Sequence, residues 1–202
     1  MTRIKLCGLS RPCDIEAANL LKPDYVGFVL APKSKRCVTP RQAGELKRLL
    51  APGILAVGVF VDEVPETIAS LLNAGVIDMA QLHGGEGEAD IRRLRSLTDR
   101  PIVQAFRIQT AQDVAAAQST SADYLLVDSG AGTGTMFDWN LVCGLARPYF
   151  LAGGLDPGNV AQAVNRLHPF AVDVSSGIES DGRKDPEKMA AFVAAVRKED
   201  RP

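Results

Sequence analysis

The chain has 202 residues, 46% of them hydrophobic, and 23 Lys and Arg against 24 Asp and Glu give a formal net charge of −1. That length fits one well-packed domain over residues 1–202, and the balanced charge provides no net field to draw in nucleic acid or an anionic membrane. The cysteines Cys7, Cys13, Cys37 and Cys143 form no C-x-x-C pair and stand with only His83 and His168, which argues against a metal site. The first residues lack the apolar core of a signal peptide, and no run is long enough to span a bilayer. With free thiols, the expected compartment is the reducing cytoplasm.

Short β-rich runs alternate with amphipathic stretches along the chain. The predicted strands are Ile4–Cys7, Tyr25–Leu30, Leu55–Val61, Met79–His83, Ile102–Phe106, Tyr124–Asp128, Tyr149–Ala152 and Ala171–Ser175. The predicted helices are Arg11–Leu21, Pro40–Leu50, Pro65–Ala74, Glu86–Leu97, Ala111–Gln118, Pro157–Leu167 and Pro186–Lys198, with a weaker one at Trp139–Leu145. Several begin with Pro in the first turn, where a missing N–H costs nothing. Parallel strands need long crossovers, so this order implies a parallel sheet. An open doubly wound sheet usually carries G-x-G-x-x-G after its first strand, whereas this one ends in Cys7-Gly8-Leu9-Ser10. The expected fold is α/β, a single compact (βα)8 TIM barrel near the lower size limit of that architecture.

Two late strands break into small residues: Leu151-Ala152-Gly153-Gly154 and Val174-Ser175-Ser176-Gly177. Gly-Gly lets a ligand approach bare backbone, and Ser-Ser-Gly offers hydroxyls and N–H groups to an anion, with added positive potential if a helix begins there. Paired in the last quarter of the chain, they read as a barrel's phosphate site, with a small phosphate ester as substrate. Strand parity turns Lys5 and Cys7, Gln81 and His83, Leu126 and Asp128, and Asp173 and Ser175 inward, leaving Ile4, Leu6, Leu125 and Val127 outward. Cys7 is a candidate general base if nearby Lys5 lowers its thiol pKa, or else a small core residue. Asp128, ending an apolar strand, is a general acid with a desolvation-raised pKa or a cap for the next loop. His83 is ambiguous, and reads as a hydrogen-bonded rim histidine ahead of a catalytic one. Arg36 suits bidentate carboxylate binding, while Lys33 and Lys35 read as a solvated face. The Gly130–Gly134 stretch is in the position of an active-site loop.

Taken together, the blocks Ile4-Lys-Leu-Cys-Gly8, Gly27-Phe-Val-Leu30, Lys33-Ser-Lys-Arg36, Val57-Gly-Val-Phe-Val61 and Gln81-Leu-His-Gly84 form an ordered series. It continues through Leu126-Val-Asp-Ser-Gly130, Gly132-Thr-Gly134, Phe137-Asp-Trp139, Leu151-Ala-Gly-Gly-Leu155, Val172-Asp-Val-Ser-Ser-Gly177 and Gly182-Arg-Lys-Asp185. The series resembles the phosphoribosylanthranilate isomerase family of tryptophan biosynthesis. The resemblance implies a cofactor-free barrel that performs the Amadori rearrangement of N-(5-phosphoribosyl)anthranilate to the 1-deoxyribulose 5-phosphate derivative. It maps the general base onto Cys7, the general acid onto Asp128 and the anthranilate-carboxylate ligand onto Arg36. Gly153, Gly154, Ser175, Ser176 and Gly177 would hold phosphate. Asp173 would position ribose hydroxyls or serve structure alone. Either a monomer or a homodimer is compatible, with a small phosphoribosyl substrate and neither nucleic acid nor membrane as partner.

The sequence departs from the family pattern at Ala131 and Thr135, where Gly and Lys are usual, and at Lys35, where Pro is usual. Two rivals remain at this point: the related Amadori isomerase of histidine biosynthesis, and a non-catalytic sugar-phosphate-binding barrel. The first expects a carboxylate where Cys7 stands. The second would not require both Cys7 and Asp128.

Overall fold

A computed structural model describes residues 1–128 and 139–199. Eight parallel strands follow one another around a closed barrel. They are β1 (Arg3–Cys7), β2 (Tyr25–Val29), β3 (Leu55–Phe60), β4 (Met79–Leu82), β5 (Ile102–Arg107), β6 (Tyr124–Asp128), β7 (Tyr149–Ala152) and β8 (Ala171–Val174). Strand β8 pairs back onto β1 with Lys5 opposite Asp173, and β1 pairs with β2 with Cys7 opposite Gly27. Each strand matches its expected span to within one residue at either end.

The crossover helices are α1 (Pro12–Leu21), α2 (Pro40–Lys47), α3 (Pro65–Asn73), α4 (Glu88–Arg95), α5 (Ala111–Ser119), α6 (Val160–Leu167) and α7 (Pro186–Glu199). Their starts are fixed locally. Thr39 Oγ1 accepts the Gln42 N–H at 3.2 Å while the Gln42 side chain accepts the Thr39 N–H at 2.9 Å, and Thr110 and Asp113 repeat this reciprocal cap. Helix α6 starts later than Pro157 because Asp156 Oδ1 takes the N–H groups of Gly158 and Asn159 at 2.7 and 3.0 Å, forming a turn before the helix. Glu86 is not a helical residue: it is buried and accepts the backbone N–H groups of Asp62 and Gly84, each at 2.7 Å. Trp139–Leu141 is a single 3-10 turn, shorter than the expected helix. Among the described residues no helix is long and apolar enough to cross a membrane.

The strand parity inferred from sequence holds. Ile4, Leu6, Leu125 and Val127 pack with the helices in one large apolar shell. Leu126 instead belongs to a separate cluster inside the barrel with Tyr25, Val57, Met79, Val103 and Phe150. A period of two therefore sorts each strand into a helix-facing side and a lumen-facing side. The lower lumen is aromatic: Tyr124 stacks on Phe170 with centroids 5.0 Å apart, and Tyr25 meets Phe150 at 5.3 Å.

Between β8 and α7 the sequence left the chain unassigned; there one 3-10 turn (Ser176–Ile178) leads into a small antiparallel hairpin of β9 (Glu179–Ser180) and β10 (Arg183–Lys184). Its two turn residues, Asp181 and Gly182, both have positive φ, 50° and 76°, the conformation that Asp-Gly favours in tight hairpins.

Candidate active site

A cavity of about 330 Å³ opens where β1 to β4 and β6 to β8 end. Cys7, Arg36, Asp128, Gly153, Gly154, Asp173, Ser175 and Ser176 all line it. Gly177, expected among them, is instead pressed against the loop after β7: a Cβ there would lie 2.0 Å from the Leu155 carbonyl oxygen. It lets the loops after β7 and β8 approach each other. Gly153 and Gly154 have φ of 86° and 65°, which glycine adopts without strain, and Asn159 Nδ2 holds the Gly154 carbonyl at 2.8 Å. The expected loop Gly130–Gly134, with Ala131 and Thr135, and the Phe137-Asp138 pair lie outside the described residues.

Beneath the cavity lies a buried polar layer. Lys5 Nζ donates to Gln81 Oε1 at 2.7 Å and to Asp173 Oδ1 at 3.0 Å, and all three residues are buried. Burial works against the Lys5 charge, but Asp173 and Cys7 together outweigh it and the ammonium is held above its ordinary range. The Cys7 thiol stands at the floor of the cavity opposite Gly27, where a Cβ would come within 2.6 Å of Sγ. Gly27 is thus the space into which the thiol fits.

The expected effect of Lys5 on Cys7 needs correction. Burial pushes the thiol pKa up, and although the ammonium groups of Lys5 and Lys184 pull it down, the net direction is upward. The sequence revealed the nearby cation but not the depth of burial, and here loss of solvent outweighs the attraction of the cations.

On the other side of the mouth, Asp128 ends β6 with its side chain 28% exposed, and His83 Nε2 lies 3.7 Å from its Oδ2. His83 Nδ1 is 2.7 Å from Gln81 Nε2, so the histidine is hydrogen-bonded at the rim as the sequence suggested.

Arg36 does not wait unpaired. Its Nε and Nη2 donate to the two carboxylate oxygens of Glu179 at 2.5 and 2.8 Å. Lys184, buried, donates to the same carboxylate at 2.7 Å and to the Ser175 carbonyl at 2.8 Å, while Ser175 Oγ donates to the Cys7 carbonyl at 3.1 Å. Burial pushes the Glu179 carboxyl up, yet the hydrogen bonds from Arg36 and Lys184 prevail and bring it down to about 2. Glu179 and Lys184 were not singled out from the sequence. The available signal was Asp181-Gly182, a hairpin turn that would have placed Glu179 opposite Lys184.

Comparison with known proteins shows which family the chain belongs to. Residues 4–195 match the family model for N-(5'-phosphoribosyl)anthranilate (PRA) isomerase. The chain belongs to the PRA isomerase family. It is 41% identical over 202 residues to the N-(5'-phosphoribosyl)anthranilate isomerase of Endomicrobium trichonymphae, covering 98% of this chain and 99% of that one. It is 42% identical over 199 residues to that of Lacticaseibacillus casei, covering 98% and 96%. The crystal structure of the Thermotoga maritima PRA isomerase superposes with a TM-score of 0.89 at 33% identity, over 98% of this chain and 100% of that one. A further PRA isomerase structure, TM-score 0.86 with the same identity and coverage, contains reduced 1-(o-carboxyphenylamino)-1-deoxyribulose 5-phosphate. These matches favour the tryptophan-pathway expectation over both rivals.

Proposed function

We propose that this PRA isomerase of tryptophan biosynthesis uses Asp128 as general acid and Cys7 as general base. The reading rests on convergence: Cys7 from β1, Asp128 from β6 and Arg36 from the loop after β2 meet in one cavity with the small-residue ends of β7 and β8. Asp128 gives a proton to the ribose ring oxygen of N-(5-phosphoribosyl)anthranilate, and the C1′–O bond breaks as the anthranilate nitrogen forms a C=N bond. Cys7, as thiolate, removes the C2′ proton, and the electron pair forms the enolamine. A proton returns at C1′ as the enol becomes the ketone. Only protons move, so no cofactor is required.

Burial keeps the proton on Cys7 in the resting site. The thiolate is therefore drawn from a minor ionisation state, and buried Lys5 is the countercharge that makes it reachable. Arg36 binds the anthranilate carboxylate through the guanidinium edge that Glu179 leaves open; Glu179 fixes its plane. Gly153, Gly154, Ser175 and Ser176 bind phosphate, with the Lys184 ammonium behind Ser175, and Gly177 shapes that loop. Asp173, held by Lys5, meets a ribose hydroxyl. We assign this work to one domain over residues 1–202, in the cytoplasm, as a monomer or homodimer.

The test is a coupled assay that generates phosphoribosylanthranilate in place and follows loss of its fluorescence. Wild type turns it over; Asp128→Asn loses roughly 10²–10⁴-fold in kcat while still binding the reduced product analogue. Arg36→Ala mainly raises KM. Wild-type turnover by Asp128→Asn would overturn its assignment.

A further inference from the structure

The proposed proton transfers use neither Gln81 nor His83, yet the two complete a continuous polar path across the lumen from Asp173 to Asp128. The chemistry of the donors fixes its direction. Lys5 Nζ has hydrogens and no lone pair, so the Gln81 atom 2.7 Å away must be the carbonyl oxygen. The other end of that amide, Nε2, is then a donor, and it lies 2.7 Å from His83 Nδ1. Nδ1 therefore accepts, and the imidazole proton resides on Nε2, the atom that faces Asp128 Oδ2 at 3.7 Å.

The backbone gives His83 little freedom. Its N–H donates to the Phe60 carbonyl at 2.9 Å. The next residue, Gly84, donates to buried Glu86, which also holds the Asp62 N–H. A Cβ at Gly84 would lie 2.5 Å from Asp62 Oδ1, so these loops are closely fitted.

We infer that His83 is a positioning residue for the isomerisation, with Gln81 holding its Nε2–H toward Asp128. The inference rests on Asp128 being the general acid. When Asp128 gives its proton to the ring oxygen it becomes a carboxylate, and an N–H aimed at Oδ2 stabilises that new charge more than the neutral acid. At 3.7 Å the contact is looser than a hydrogen bond; it shortens as negative charge develops, as catalytic contacts commonly do on leaving the resting state. Lys5 thereby serves both halves of the chemistry, as countercharge to Cys7 and, through Gln81, as the anchor of the His83 tautomer.

Two conservative variants separate this role from packing. His83→Asn keeps a polar atom near the Nδ1 position and loses the Nε2 donor, whereas His83→Gln keeps an amide N–H near Nε2. His83→Asn should lower kcat roughly 10- to 100-fold with KM changed by less than ~3-fold, and His83→Gln should stay within ~3-fold of wild type in both. Gln81→Glu can still accept from Lys5 but cannot donate to Nδ1, so it should lower kcat as His83→Asn does. The two changes combined should cost no more than either alone, whereas independent structural roles would add. Titration with the reduced product analogue reports whether each variant keeps a folded site. Equal kcat for the Asn and Gln variants, or additive losses with Gln81→Glu, would overturn the inference while leaving Asp128 in place if Asp128→Asn is inactive. An active Asp128→Asn would overturn the assignment beneath it instead.

Discussion

The two ends of the barrel lumen are built from opposite materials. At the lower end, Tyr25, Tyr124, Phe150 and Phe170 fill the space edge to face and stacked, with Arg3 over the Phe170 ring at 4.6 Å and donating to the Tyr25 hydroxyl at 2.7 Å. At the upper end, Lys5, Gln81 and Asp173 occupy the same lumen as a hydrogen-bonded charged layer. Aromatic packing stabilises through buried area and is indifferent to small displacements of a proton. A buried ion pair contributes little net stability and is costly to break, but it holds charges at fixed places. The upper layer thus gives up packing stability for a defined electrostatic floor under Cys7, and the lower cluster supplies the packing it lacks.

Breaking each layer separately should show the division. Lys5→Met leaves Asp173 buried without its cation, and is expected to cost about 3–5 kcal/mol and to abolish most turnover. Phe150→Ala should cost a similar ~3–5 kcal/mol yet leave kcat and KM per folded molecule nearly unchanged. Chemical denaturation and kinetics on the same preparations check both, and equal kinetic damage from the two would erase the distinction.

A smaller effect is expected at Gly27, where added Cβ meets the Cys7 thiol. Gly27→Ala should cost about 1–3 kcal/mol and depress kcat by displacing Sγ. A crystal structure of the variant with Sγ unmoved and normal turnover would contradict this.

Glu179 sharpens the comparison from the rim. Its carboxyl is depressed to about 2 in the folded chain, below the ordinary carboxylate value, so its stabilisation is full above pH ~4.5 and is lost as pH falls toward 2. Wild type should therefore lose thermal stability over that window more steeply than Glu179→Gln. Parallel melting curves for the two would contradict the assignment. The smallest effect is one of reactivity. Because burial raises the Cys7 thiol, alkylation of Cys7 should rise at higher pH in the folded chain than in the same chain unfolded in urea. Site-resolved mass spectrometry of the Cys7 peptide reads both, and equal profiles would contradict this.

The barrel was legible in the sequence because each strand carries its own period-two code, and the glycines and serines that end β7 and β8 marked strand ends that line the cavity. Cys7, Asp128 and Arg36 were legible as strand-end or loop candidates, and they do meet in one cavity. Depth and pairing were not. Whether Lys5 or desolvation governs Cys7 depends on how much solvent reaches the floor, which no local pattern encodes. Glu179 reads as an ordinary acidic residue until the hairpin folds it onto Arg36 and Lys184. His83 reads as a rim histidine until Lys5, far away in sequence, fixes the orientation of Gln81.

The proposed chemistry at this mouth turns on Cys7 as the base. The decisive measurement is kcat of Cys7→Ala in the phosphoribosylanthranilate assay, alongside its melting temperature. A variant that melts like wild type and loses roughly 10²–10⁴-fold in kcat is the predicted result; folded protein that turns over at the wild-type rate would return Cys7 to the core as a packing residue.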